Sequence, residues 1–246
     1  MASSTDETQA KQHPLHNAIK EGNTKLAEHL IQTDPALLYS KDEDERTPLH
    51  WACSRDNTHL VRYILDHTPS KLDLDEFTDS SGWTPLHIAA SIGNVEILNL
   101  LMHHEVEVDV DAVTNTGTTP LQLSISKQHL PFVRALLGEF GANARKKDKL
   151  GMSALHRAAA GGNLALVQEV VEHGKNVNVN AKDNQGWSAL HHALAEGNGD
   201  VAVWLVREGG ADVNLVDDDG LKPAQVSVDE KVGRYFLEQI GQPLAQ

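Results

Sequence analysis

The feature that most limits how this 246-residue chain can fold is a four-residue core that returns at nearly constant spacing. Its copies read His13-Pro-Leu-His16, Thr47-Pro-Leu-His50, Thr84-Pro-Leu-His87, Thr119-Pro-Leu-Gln122, Ser153-Ala-Leu-His156, Ser188-Ala-Leu-His191 and Lys222-Pro-Ala-Gln225. The third residues, Leu15, Leu49, Leu86, Leu121, Leu155, Leu190 and Ala224, lie 34, 37, 35, 34, 35 and 34 positions apart. In the third copy Thr84 is placed to cap a helix, Pro85 fits the first helical position, where no N–H is needed, and Leu86, Ala89 and Ala90 form one apolar face. A turn seven or eight residues on ends that helix, at Gly22-Asn23, Asp56-Asn57, Gly93-Asn94, Gly162-Asn163 and Gly197-Asn198. Apolar pairs fifteen and sixteen positions on, such as Leu30-Ile31, Leu101-Met102 and Val170-Val171, mark a second helix. The unit is a helical hairpin.

Helices of about two turns are unstable alone in water, so each unit must bury its apolar face on its neighbours. With turn residues of the Asp79 and Gly82 kind ahead of the capped helix, the unit resembles the ankyrin repeat. The resemblance implies an all-α solenoid of about seven helix-turn-helix repeats with projecting turns and a concave binding face. It covers residues 11–243 as a single repeat domain behind a flexible polar N-terminal tail, residues 1–10. The copies depart from pattern in places. Glu45 stands where later turns have glycine, and the three residues beyond the usual period between copies two and three are placed at Thr68-Pro-Ser-Lys71. Copy four reads Lys127-Gln-His129 at its inner turn, and copy seven decays into a polar capping helix. Truncating the interior Leu121 or Leu155 to Ala is expected to cost more than truncating Leu15, whose terminal repeat has one neighbour.

Charge is unevenly divided. The chain carries a net charge of −14; residues 1–120 hold 20 acidic and 8 basic side chains, residues 121–246 hold 15 and 13. A field of that sign disfavours nucleic acid and favours a partner with a basic surface. The basic cluster Arg145-Lys146-Lys147 with Lys149 reads as a solvated turn bracketed by Asp148. No apolar run approaches a membrane span, and residues 1–10 have no apolar signal core, so neither a membrane nor a leader is expected. Cys53 is the only cysteine. Together with the lack of a glycosylation sequon it suits a reducing compartment, hence a cytoplasmic and nuclear address.

Chemistry has little foothold. Six of the 14 histidines (His16, His50, His87, His156, His191, His192) sit at or beside the repeat core, where an imidazole ties the turn to the helix start. His103-His104-Glu105 and His191-His192 lack zinc-hydrolase spacing. Asp217-Asp-Asp-Gly220 fails as a calcium loop because Leu215 and Val226 occupy the end positions. No phosphate-cradling glycine loop or nucleophile elbow is present. No enzyme activity, cofactor or metal is expected, and function is assigned to the surface.

The candidate partner-binding residues are variable positions of the turn tips and first helices. In the first half they are Asp42, Glu43, Asp44, Arg46, Arg55, Ser81, Trp83 and Ser91; in the second they are Lys127, Met152, Trp187 and Glu196. Trp83 and Trp187 follow the turn glycine, where a large ring packs on the adjacent helix or anchors a partner. Four stretches narrow the resemblance: Leu38 to Trp51, Asp79 to Asn94, Leu155-His-Arg-Ala-Ala159, and Gln185 to Asp200 with its Leu194-Ala-Glu-Gly-Asn-Gly-Asp200. They are similar to gankyrin-like ankyrin proteins of animals and fungi, the assembly chaperones of the proteasome regulatory particle. That resemblance implies a non-enzymatic chaperone, monomeric before binding, whose concave face holds the C-terminal helical domain of a proteasomal ATPase subunit. The animal group's retinoblastoma-binding Leu-x-Cys-x-Glu motif is absent, since Cys53 lies in Trp51-Ala-Cys-Ser-Arg55. An ankyrin inhibitor or adaptor for a kinase or transcription factor would share the same fold.

Overall fold

The computed structural model describes residues 13–69, 73–104 and 108–242. The expected tail, residues 1–10, lies outside them, as do Ser70 and Lys71 of the extra segment and Glu105 of the His103-His104-Glu105 run. Among the described residues every regular element is helical. Six hairpins follow one another: α1 (Pro14–Lys20) with α2 (Thr24–Thr33), α3 (Pro48–Ser54) with α4 (Thr58–Asp66), and α5 (Pro85–Ile92) with α6 (Val95–His103). Then come α7 (Pro120–Ser126) with α8 (Leu130–Gly138), α9 (Ala154–Ala160) with α10 (Leu164–His173), and α11 (Ala189–Ala195) with α12 (Gly199–Arg207). In the seventh copy the first helix shrinks to a single 3-10 turn, Pro223–Val226, before α13 (Glu230–Gln239). Ala224 offers no large apolar side chain there, and Ser227 donates its hydroxyl back to the Ala224 carbonyl, so the turn closes early. The capping helix is nonetheless anchored, with Phe236 fully buried.

The residues group into two compact units, the first ending at Asn115 and the second beginning at Thr116. Within the first, α1 packs on α3 and α3 on α5, while α2 packs on α4 and α4 on α6. Within the second, α7 packs on α9, α9 on α11 and α11 on the 3-10 turn; α8, α10, α12 and α13 form the parallel series. Like stacks on like, so the repeat leucines meet at equivalent depth. Leu15, Leu49, Leu86, Leu121, Leu155 and Leu190 are all 2% exposed or less. Leu15 is as deeply buried as Leu121, so burial gives no reason for a smaller loss at the terminal repeat.

The inner turns need a residue with positive φ. Gly93 supplies it at 86°, and where glycine is missing the backbone still adopts it, at Asp56 (55°) and Gln128 (62°). Outside the helices Glu45 does the same at 61°. The glycine at that outer position in other copies has a second reason: a Cβ on Gly82 would lie 2.8 Å from the backbone nitrogen of Asn115 in the next turn.

The repeat imidazole performs two jobs at once. His50 Nδ1 accepts the backbone N–H of Thr47 at 3.2 Å, completing a capping box, and Nε2 meets the Trp83 carbonyl of the following repeat at 3.0 Å. An N–H only donates and a carbonyl only accepts, so the ring is the neutral tautomer protonated on Nε2. His156 bridges Ser153 to the Ala181 and Trp187 carbonyls, and His191 bridges Ser188 to the Leu221 carbonyl. In copy four the Gln122 amide takes the same role, its oxygen accepting from Thr119 and its nitrogen donating to Lys146 and Met152 carbonyls. His16 keeps only the outward half, to the Arg46 carbonyl, because its N-cap is His13. Its Nδ1 is buried without a partner.

Burial lowers the His50 and His156 pKa values to about 4 and lowers those of His16 and His191 as well. The unfolded chain binds protons at about 6.5, so between that pH and about 4 it holds more protons than the folded chain, and stability falls as pH falls. Unfolding free energies from urea titrations at pH 7 down to pH 4 should drop progressively across that window, by roughly 3 kcal/mol for each of His50 and His156; a value unchanged across it would contradict the neutral bridging ring. At pH 7, Leu155→Ala should cost about 2–5 kcal/mol, as should Leu15→Ala, in the same denaturation assay.

Candidate partner-binding surface

An aspartate builds five of the projecting turns, and Thr114 stands at its position in the turn of copy four. Asp42, Asp79, Asp148, Asp183 and Asp217 each accept two backbone N–H bonds on Oδ1, from residues two and four positions ahead. Neighbouring turns are then joined by one backbone bond each. Ser80 N–H donates to the Asp44 carbonyl and Asn115 N–H to Ser81 in the first unit; in the second, Lys149 donates to Thr116, Asn184 to Leu150 and Asp218 to Gln185. This fixes the spacing of the tips and leaves the side chains at the apex outward.

In the first unit the structure separates the expected acidic tip into two parts. Glu43 and Asp44 are exposed at the apex beside Glu45. Asp42 is turned inward: its carboxylate accepts from Trp51 Nε1 at 2.8 Å and pairs with Lys20 at 3.1 Å. Burial pushes Asp42 up, but the bonds from Trp51 and Lys20 outweigh it and hold the carboxyl below its ordinary range. Lys20 also lies 4.2 Å from the Trp51 ring centroid, Arg46 flanks the same ring at 5.2 Å, and Arg46 pairs with Asp79 at 3.2 Å. Lys20, Asp42, Arg46, Trp51 and Asp79 thus form one network over α1 and α3. Ser81 is exposed at the next tip, and Arg55 is exposed where α3 ends. Trp83 is half-buried with its ring 6.3 Å from His87, and Ser91 is half-buried on α5.

In the second unit Lys127 and Glu196 are exposed at the C-terminal ends of α7 and α11. Met152 is half-buried, and both its backbone groups are engaged, the N–H by Asp148 and the carbonyl by Gln122. Trp187 is committed to the fold: its indole N–H donates to Asp217 at 3.1 Å and its ring lies 5.2 Å from His192 and 6.2 Å from His191. Asp148 pairs with Arg157 at 2.5 Å and Asp183 with His192 at 2.8 Å. Burial raises Asp183, and the bonds from Gln185 and His192 more than reverse it. Among the described residues the most exposed large apolar side chain is Leu150, 66% exposed at its tip.

Sequence reasoning missed this second layer, in which Trp51 meets Asp42, Arg157 meets Asp148 and His192 meets Asp183, while Asp79 and Asp217 accept from Arg46 and Trp187. The signal was a spacing: each of the first three side chains lies nine residues after the turn aspartate it contacts. At Asp79 the ninth residue is Ile88, and Arg46 from the preceding repeat takes its place. Burial pushes the Cys53 thiol far up, so it stays protonated and packs as a small apolar group. Among the described residues no cluster of three or more His, Cys, Asp or Glu could hold a metal ion, and no helix is long and apolar enough to cross a membrane.

The family model described as ankyrin repeats (3 copies) matches over residues 3–75, 71–148 and 128–217. The chain belongs to the ankyrin-repeat family. Among its relatives, a probable 26S proteasome regulatory subunit p28 of Saccharomyces cerevisiae is 40% identical over 228 residues, 93% of this chain and 99% of that one. The mouse B-cell lymphoma 3 protein homolog is 33% identical over 67% of this chain but 36% of its own length. The solved ankyrin repeat domain of Bcl-3, a member of the IkappaB protein family, superposes with a TM-score of 0.75 at 28% identity, covering 90% of this ankyrin-repeat chain and 96% of that domain.

Asp148→Ala should destabilise the protein by on the order of 3 kcal/mol, because it strands Arg157 and two backbone donors. Asp44→Ala, at the open apex, should stay within about 0.5 kcal/mol of the parent. Equal losses in chemical denaturation would show that the turn aspartate and the apex carboxylate are not distinct.

Proposed function

We propose that this ankyrin-repeat protein is a non-catalytic, protein-binding chaperone of the proteasome regulatory particle, acting in the cytoplasm and nucleus as a monomer until it binds. The observation that carries the reading is the 40% identity to the yeast p28 subunit along 99% of that protein, a match of whole chain to whole chain. The alternative, an adaptor for a kinase or transcription factor, draws on the likeness to the Bcl-3 ankyrin domain, but the match to the mouse homolog covers 36% of that protein.

The partner we infer is the C-terminal helical domain of a proteasomal ATPase subunit, presenting a basic surface to the apex carboxylates Glu43 and Asp44. Side chains along the first helices, including Arg55, Lys127 and Glu196, complete the contact. Asp42, Met152 and Trp187 act in this reading as supports, holding the turns in the shape that is recognised, while Arg46, Ser81 and Trp83 belong to the projecting turns and Ser91 to the last turn of α5. An interface of ordinary size would bury about 800 Å² per partner. Exposed charges attract over a Debye length of about 8 Å at physiological salt, so they act chiefly on encounter.

Surface-immobilised binding of the isolated ATPase C-terminal domains, at low and at moderate salt, tests this. One domain should bind, with an association rate that falls as salt rises. Asp44→Lys should lower that rate, and Glu196→Ala should mainly hasten dissociation. If none of the domains binds, the chaperone reading fails; if one binds and Asp44→Lys leaves both rates unchanged, the acidic-apex mechanism fails.

A further inference from the structure

The basic cluster around Arg145 does not behave as an ordinary solvated turn. Residues 143–182 hold seven Lys or Arg and three Asp or Glu, a local balance of +4 in a chain of −14. Several cations of the chain pair with carboxylates: Lys20 with Asp42, Arg46 with Asp79, Arg134 with Glu169, Arg157 with Asp148. Among the described residues, Arg145, Lys147 and Lys182 meet none. Instead they line a groove of about 510 Å³ between the loop preceding the Asp148 turn and the loop preceding the Asp183 turn. Lys147 Nζ donates to the Lys182 carbonyl at 2.7 Å and Lys182 Nζ to the Val216 carbonyl at 2.6 Å, so both ammonium groups are positioned by neutral oxygens that leave their charge uncompensated. No Asp or Glu is among the residues lining the groove.

The rest of the lining selects among anions. Ala144, Val177 and Ala181 give it an apolar part, and Asn176 and Asn178 place exposed amides along its rim. A side-chain amide both donates and accepts, which suits a peptide backbone; a phosphate ion offers acceptors only. The volume is that of a site for a short segment rather than a single ion. The −14 charge of the whole chain opposes a long polyanion such as nucleic acid. We propose that this groove is a second docking site, separate from the turn apices, that takes an acidic peptide segment of another protein, with Arg145, Lys147 and Lys182 reading its carboxylates.

Fluorescence anisotropy on the full chain tests this, with a short labelled peptide of alternating Glu and Gly as the probe. The peptide should bind at low salt and weaken as salt rises, and Arg145→Glu should raise its Kd about tenfold or more. Arg145→Gln should lie between the parent and Arg145→Glu, which keeps the test decisive if the charge reversal disturbs folding by circular dichroism. Asp44→Lys should leave peptide affinity unreduced, and Arg145→Glu should leave binding of an ATPase C-terminal domain unreduced, so the two sites fail or stand separately. The proposal is overturned if the acidic peptide does not bind, if Arg145→Gln and Lys182→Gln bind it as the parent does, if a Lys-Gly peptide binds equally well, if inorganic phosphate displaces the probe at concentrations matching the peptide's own, or if a DNA oligonucleotide binds more tightly.

Discussion

A neutral imidazole joins the start of one helix to the turn of the next repeat, and the rest of the architecture depends on that bond pair. First helices of seven or eight residues cannot persist alone, and their N–H groups need partners at the N-terminus. His50 Nδ1 supplies one such partner while its Nε2–H reaches the Trp83 carbonyl, so capping the helix and ordering the next repeat are a single event. The Gln122 amide reproduces the geometry with an oxygen in place of Nδ1 and an NH₂ in place of Nε2–H. What the position requires is an acceptor and a donor held rigidly apart, and the chain satisfies it twice over with different chemistry.

The turn aspartates do the complementary work on the outer side. Their Oδ1 atoms close the turn and their Oδ2 atoms hold a side chain from the adjacent helix or preceding repeat, so the backbone that carries each apex is fixed on two sides. Recognition is thereby left to few positions. Glu43, Asp44, Ser81 and Leu150 face outward because the aspartate one or two residues before them faces inward. Conserving charge in composition does not mean conserving it at the surface: Asp42 and Asp44 are both carboxylates, but the first is a ligand of the fold and the second is available to a partner.

The cations divide in the same way. Several near the turn aspartates pair with them, whereas Lys147 and Lys182 are held by carbonyl oxygens instead. An acidic protein with a locally basic groove offers surfaces of opposite sign, and each favours a different class of partner through long-range attraction before any contact forms.

The repeats, the all-helical class, the leucine core, the capping role of Thr84 and the positive-φ turn at Gly93 were legible in the sequence, because each is set by residues within one hairpin and recurs at a fixed period. The sequence also marked where copies depart, as at Glu45 and Ala224. It did not show that Asp42 points inward, that Trp187 spends its indole on Asp217, or that Arg145, Lys147 and Lys182 meet no carboxylate among the described residues. Those outcomes depend on which side chains from repeats about thirty residues apart arrive at the same turn, and a one-dimensional period carries no information on that meeting. Only the tertiary structure decides them, since the charge a residue presents to a partner is what remains after its neighbours in space have been satisfied.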